Sequence, residues 1–182
     1  MTLRQPQGPK FAGGAEISVS DDRPPALSAA AMRLTFTKLP GKYDRLDIVT
    51  IAGARPPVQC PKQGIIPHDM VHYAVEAEVA ARGFLGAVAD GAEAGFGDGD
   101  FDGEAGGVER LVETVQAEAW SGSVYHDDAF LDLYRVTCEA RGDAPLAIDG
   151  ALLAAIRARL AELTACWAAV PVGGSLTLEL AT

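Results

Sequence analysis

The chain has 182 residues, 48% hydrophobic and 22% charged, enough for one domain with a substantial core and too few for two. A formal net charge of -10 gives no electrostatic source for binding a phosphate backbone or an anionic bilayer, and no apolar run reaches the roughly 20 residues that span a membrane. Cys60, Cys138 and Cys166 are odd in number, far apart and never in a CxxC pair, which fits small core residues in a reducing compartment.

Residues 1–31 carry Pro, Gly and small residues without a sustained period, as expected of a flexible extension ahead of a single domain over 32–182. In "MRLTFTKL" Leu34 and Phe36 alternate with polar neighbours, and "LDIVTI" follows after a "PGKYDR" turn, so an antiparallel hairpin is expected. A loop, "AGARPPVQCPKQG", leads to a helix that starts near Pro67 with Asp69 in its first turn and should stop at Gly83. Residues 86–107 are dense in Gly and acid and read as a long surface loop.

Helical spacing returns from Val108 to Trp120, with Leu111, Val112, Val115 and Ala119 on one side, and again from about Asp127 to Ala140. Asp149 can cap a helix through "GALLAAIRARLAELTACWAAV", which "PVGG" ends. "SLTLEL" alternates as a last strand. Strands at both ends and helices between them predict an α+β domain: a small antiparallel sheet of hairpin plus C-terminal strand, covered by about four helices.

The chemistry-bearing stretch is "PHDMVHYAVE". At about 100° per residue, Val71, Val75 and Val79 form an apolar stripe, His68 and His72 fall within or beside it, and Asp69 and Glu76 flank it near His72. Imidazoles at i and i+4 can chelate one divalent ion of zinc type, with Glu76 or a distant His126 completing the shell and Asp69 or Glu76 serving as catalytic base. Equally, each histidine can be half-buried and hydrogen-bonded to a carboxylate or a carbonyl, the usual way a buried polar group is satisfied. His126 beside Asp127 and Asp128 also reads simply as a helix start.

A second candidate site is "DGDFDGEAGGVE", which fits a calcium loop at Asp98, Asp100, Asp102, Glu104 through its carbonyl, and Glu109, with Gly103 at the sharp turn. The glycines before it deny it an entering helix, so a solvated acidic loop is the competing reading. No P-loop, GxSxG elbow or GxGxxG after a strand occurs.

"HDMVH" is the zinc-protease HExxH pattern with Asp for the glutamate base, placed by Pro67 at a helix start rather than mid-helix, which weighs against a peptidase. It also resembles the HDxxH motif of zinc-binding ubiquinone-biosynthesis proteins, where a further glutamate follows at the position held here by Phe84. A closer resemblance spans 32–182: "PHDMVHYAVE" and "WAAVPVGGSLTL" look like the PHD-apolar-x-H-apolar-x-VE helix and the W-x-x-(L/V)-P-x-G-G-x-L-x-L tail of a family of short uncharacterised bacterial proteins. That resemblance implies organisation and carries no activity. The expectation is therefore a cytoplasmic binding or accessory protein of that family, with no signal-peptide pattern, no nucleic-acid or membrane partner, and a protein partner or homo-oligomer left open. The alternative is a metal-dependent hydrolase or lyase built on the HDxxH helix.

Overall fold

The computed structural model describes residues 31–92 and 103–181. The flexible extension expected over 1–31 lies outside the described residues apart from its last position, and Asp98, Asp100 and Asp102 lie outside them altogether.

The fold is α+β, as the sequence predicts. The strands β1 (Ala31–Thr37) and β2 (Tyr43–Thr50) pair antiparallel, and β5 (Ser175–Ala181) joins the other edge of β1 antiparallel. Their alternation puts Met32, Leu34, Phe36, Leu46, Ile48, Leu176 and Leu178 on one buried face. On the opposite face the same register sets Arg33 against Glu179, joined at 2.7 Å, and Thr35 against Thr177.

The expected loop after β2 is instead two short strands. β3 (Gly53–Ala54) and β4 (Val58–Pro61) both fold back on β2, with Val49 opposite Ala54 and Asp44 opposite Cys60. Gly53 takes φ 117, a conformation that favours glycine, so the return is tight. Cys60 then buries its thiol in the core, and Pro61 occupies a sheet-edge position where no further ladder donor is needed.

Among the described residues there are five helices, α1 (His68–Glu76), α2 (Phe84–Ala89), α3 (Glu104–Ser121), α4 (Asp127–Arg141) and α5 (Gly150–Ala169), whose buried side chains share one core with the apolar face of the sheet. The last two agree closely with expectation, and Asp149 caps α5 by accepting from the Leu152 N–H at 2.8 Å. The first two do not. The helix expected to run to Gly83 ends at Glu76, and α2 occupies the start of what reads as a long loop. The Glu76 side chain is the cause, because it captures the backbone N–H groups of Gly83, Leu85 and Gly86 and so starts a new helix. Leu85 and Val88 bury themselves as a result.

Similarly, α3 begins before Val108 and takes in Gly106 and Gly107. Glycine at 107 has a spatial reason, since a Cβ there would lie 2.6 Å from the Ala144 carbonyl oxygen. Tyr134 fastens the same crossing: its hydroxyl donates to the Gly107 carbonyl at 3.0 Å and accepts from the Leu146 N–H at 2.8 Å. Burial pushes that phenol well above its ordinary pKa, so it stays protonated and able to do both. At the far end of α3, Glu118 takes two hydrogen bonds from Arg157 of α5, at 2.9 and 2.7 Å, while the same guanidinium reaches Asp127 of α4 at 2.6 Å.

A Tyr134→Phe variant leaves the Leu146 N–H and the Gly107 carbonyl without their partner while preserving the ring. It should lose about 1–3 kcal/mol of stability in urea unfolding, with an unchanged dependence on denaturant.

Candidate metal centre

His68 opens α1 and His72 follows one turn later, the 40° offset that the spacing implies. Their rings meet edge to face with centroids 4.8 Å apart, and His72 also packs against Phe84 of α2 at 5.2 Å. His72 Nε2 lies 3.2 Å from His68 Nε2 and 3.5 Å from Glu109 Oε2 on α3. Among the described residues, the one group of three such side chains that gathers its ligand atoms is His68, His72 and Glu109, all within 4.8 Å of one another. Atoms bound at ~2.0–2.1 Å to a tetrahedral zinc stand ~3.3 Å apart, so the two short separations match ligands of a single ion.

Glu76 lies on the other side of His72. Its Oε1 is 3.3 Å from His72 Nδ1, and its two oxygens accept from Gly83 at 3.2 Å, Leu85 at 3.0 Å and Gly86 at 3.1 Å. A carboxylate can only accept, so the ring donates from Nδ1 to Glu76 and turns Nε2 toward Glu109 and His68. This carboxylate–histidine arrangement is the one that orients metal-binding imidazoles.

The electrostatics agree. Burial, the largest single effect on His72, lowers its pKa, but the Glu76 hydrogen bond together with the charges of Glu109, Glu76 and Asp69 outweighs it and leaves a net rise. His68 moves the other way: burial and the neighbouring His72 lower it against the pull of Asp69 and Glu109. The cluster thus concentrates negative charge around two imidazoles of which one is kept basic.

The remaining sequence-assigned residues are placed elsewhere. Asp69 is buried, and its Oδ2 accepts from the Cys60 thiol at 3.3 Å. Burial, reinforced by the Asp69 charge, pushes that thiol far up, so it stays protonated. Asp69 and Glu76, the two expected bases, are both engaged as hydrogen-bond acceptors, and Glu76 is not itself among the gathered ligand atoms. His126 caps α4 beside Tyr125, whose N–H bonds Glu118 at 2.9 Å. Glu118 is nine residues along α3 from Glu109, about 13 Å at 1.5 Å per residue, so His126 belongs to the opposite end of that helix. Glu104 is exposed in the first turn of α3.

Glu109 itself, read from sequence as the last calcium ligand, turns its carboxylate to His72. The sequence offers one signal for this role: Glu109 and Gln116 are seven residues apart and share a helix face with the buried Val112. Comparison of the chain with protein-family models, with curated proteins and with solved structures gives no match.

Gly83 has no room for a side chain, since a Cβ would fall 2.5 Å from Val108 Cγ1 and 2.7 Å from Glu76 Cδ. Gly83→Ala should therefore cost about 1–3 kcal/mol, measured by chemical unfolding, and should disturb the His72 ring signals in NMR more than those of His126.

Proposed function

We propose that this protein binds one divalent cation of zinc type through His68, His72 and Glu109, with Glu76 holding His72. The observation that carries the reading is the convergence of two imidazole nitrogens and a carboxylate oxygen at 3.2 and 3.5 Å, with the Nδ1 of His72 already committed to Glu76. One imidazole donating to the other would account for the 3.2 Å separation alone; the Glu109 carboxylate oxygen 3.5 Å from the same His72 nitrogen is what adds a third ligand atom. Two histidines and a carboxylate suit zinc and related transition metals better than calcium, which takes six to eight oxygens.

On this reading the chain is a metal-binding or accessory protein, and the resemblance to the short bacterial family suggests that the organisation is shared there. A hydrolase or lyase is the second reading, favoured by the count of ligands: three protein groups leave a fourth position open, the pattern of catalytic rather than structural zinc. An ion there would supply Lewis-acid chemistry to a carbonyl, a phosphoryl group or water. Glu76 and Asp69 then act as supports rather than as bases.

No helix of the described residues is long and apolar enough to cross a membrane, in keeping with a proposed site of action in the cytoplasm. The net charge of -10 likewise speaks for a small-molecule or protein partner rather than a nucleic acid.

Metal analysis by mass spectrometry should find close to one zinc-type ion per chain in the wild type and none in a His68→Ala/His72→Ala variant. Zinc at a hundred times its Kd should stabilise the wild type by about 2.7 kcal/mol and leave the double variant unmoved. A wild type with neither bound metal nor a zinc-dependent melting temperature sinks the proposal. Calcium separates the loop reading from this one, because a calcium response that survives loss of both histidines but not of Asp98 and Glu109 belongs to the acidic loop.

The zinc response should also fade in acid. His72 is raised above its ordinary value of 6.5, so in the metal-free fold its protonated form contributes stability that is present below that value and lost as pH rises through the folded pKa. A metal must displace that proton. The gain in melting temperature on adding zinc should therefore shrink as the pH falls, starting before it reaches 6.5. A gain that is flat from pH 8 to pH 5.5 argues against His72 as ligand.

A further inference from the structure

Lysines gather at one end of the sheet. Of the four in the sequence, Lys38, Lys42 and Lys62 are the three among the described residues, and they stand together in a chain whose net charge is -10. Lys38 follows β1 and Lys62 follows β4, and both line one cavity of about 250 Å³ with apolar walls at Trp167, Ile65 and Pro67. Lys42 is exposed beside them, its carbonyl accepting from the Lys62 N–H at 3.0 Å.

Both ammonium groups are held in place. The backbone of Lys38 bonds Gly174 at 3.0 Å through its N–H and Gly173 at 2.6 Å through its carbonyl, and its Nζ donates to the Trp167 carbonyl while lying 4.6 Å from the centre of that indole. Lys62 Nζ donates to the Leu39 carbonyl and lies 3.2 Å from Asp44 Oδ1. Asp44 is buried, and the same oxygen accepts from the Leu39 N–H at 2.9 Å, so its one charge offsets only one of the two lysines. An ammonium carries three N–H groups. These contacts engage one on Lys38 and two on Lys62, so capping the end of α5 and pairing with Asp44 account for half of the donors and one of the charges.

We infer that this cavity binds a small organic carboxylate, whose anionic end takes the spare N–H groups of Lys38 and Lys62 and whose apolar body lies against Trp167, Ile65 and Pro67. Two ammonium groups against one carboxylate leave a single positive charge in the walls, the complement of a monoanion, and Lys42 adds attraction at longer range. The volume falls just below the ~300–1,000 Å³ of pockets that enclose drug-sized ligands, so a compact aryl or branched-chain acid is the right size. Inorganic phosphate would leave the apolar walls without a partner. The site uses none of His68, His72, Glu76 or Glu109 and does not rest on the metal reading.

The test titrates the full chain with phenylacetate and with isovalerate while a chelator is present, so that a carboxylate on a bound metal is not mistaken for this site. Nitrogen-15 NMR follows the indole N–H of Trp167, and Trp120, 53% exposed at the end of α3, is the internal control. At least one of the two acids should shift the Trp167 signal saturably, with a Kd of about 1 mM or tighter, and leave Trp120 unmoved. Phenylacetamide, the uncharged counterpart, and inorganic phosphate should each bind at least about tenfold more weakly, and Lys38→Met and Lys62→Gln should each weaken the acid by a similar factor. If Lys38→Met does not fold, Lys62→Gln, at a side chain 35% exposed, and the amide comparison in wild type carry the test. The inference is overturned by any of four results: no saturable shift with either acid, an amide that binds as well as the acid, phosphate that binds as well as the acid, or an affinity indifferent to the lysine substitutions.

Discussion

The Glu76 carboxylate is a buried negative charge with four donors converging on it. Three are backbone N–H groups of Gly83, Leu85 and Gly86, and the fourth is the ring of His72. Its side chain is 3% exposed, so without these partners its desolvation would be prohibitive. The constraint works in both directions. The charge ends α1, because the chain must return to deliver those N–H groups, and it starts α2, whose first turn would otherwise leave them unpaired. It also determines the proton on His72, and with it the atom that His72 shows to Glu109.

Gly83 and Val108 close this arrangement from the side. The absence of a Cβ at 83 lets Val108 and the Glu76 carboxyl group lie where a methyl would be, bringing α3 close enough for Glu109 to reach the histidines. Farther along, Gly107 meets the Ala144 carbonyl and Tyr134 ties both sides of that contact. The position of Glu109 thus depends on a helix crossing fixed by two glycines and a phenol, and not on any local property of the sequence around it.

What the sequence makes legible follows from this. β1, β5, α4 and α5 are dictated by neighbours in the chain: alternation in "RLTFT" and "SLTLEL", apolar spacing from Phe130 to Cys138, and the Asp149 cap are local signals, and each appears where the pattern puts it. The end of α1 is not local, because Ala77 to Arg82 contain nothing that forbids helix. Only the reach of Glu76 across to Gly83 stops it. β3 and β4 carry a glycine and three prolines between Gly53 and Pro61, which reads as loop until β2 is there to receive them. The histidine pair is legible from its i, i+4 spacing. Glu109 is hidden because its helix reads first as an amphipathic one, in which a polar residue beside Val112 attracts no notice.

The placement of the pair in the first turn of α1 sets the electrostatic terms for whatever occupies it. The N-terminal end of a helix carries the positive end of its dipole, which opposes a cation. His68 is the first residue of α1, so the helix alone is a poor cation site, unlike a mid-helix HExxH motif whose histidines lie away from either end. The compensation is tertiary: Glu109 from α3 in front, Glu76 behind, and Asp69 one residue after His68. The charges that favour a cation are therefore assembled only when α1, α2 and α3 are all in place, and without α2 or α3 the two histidines would stand at a helix start with no reason to hold an ion.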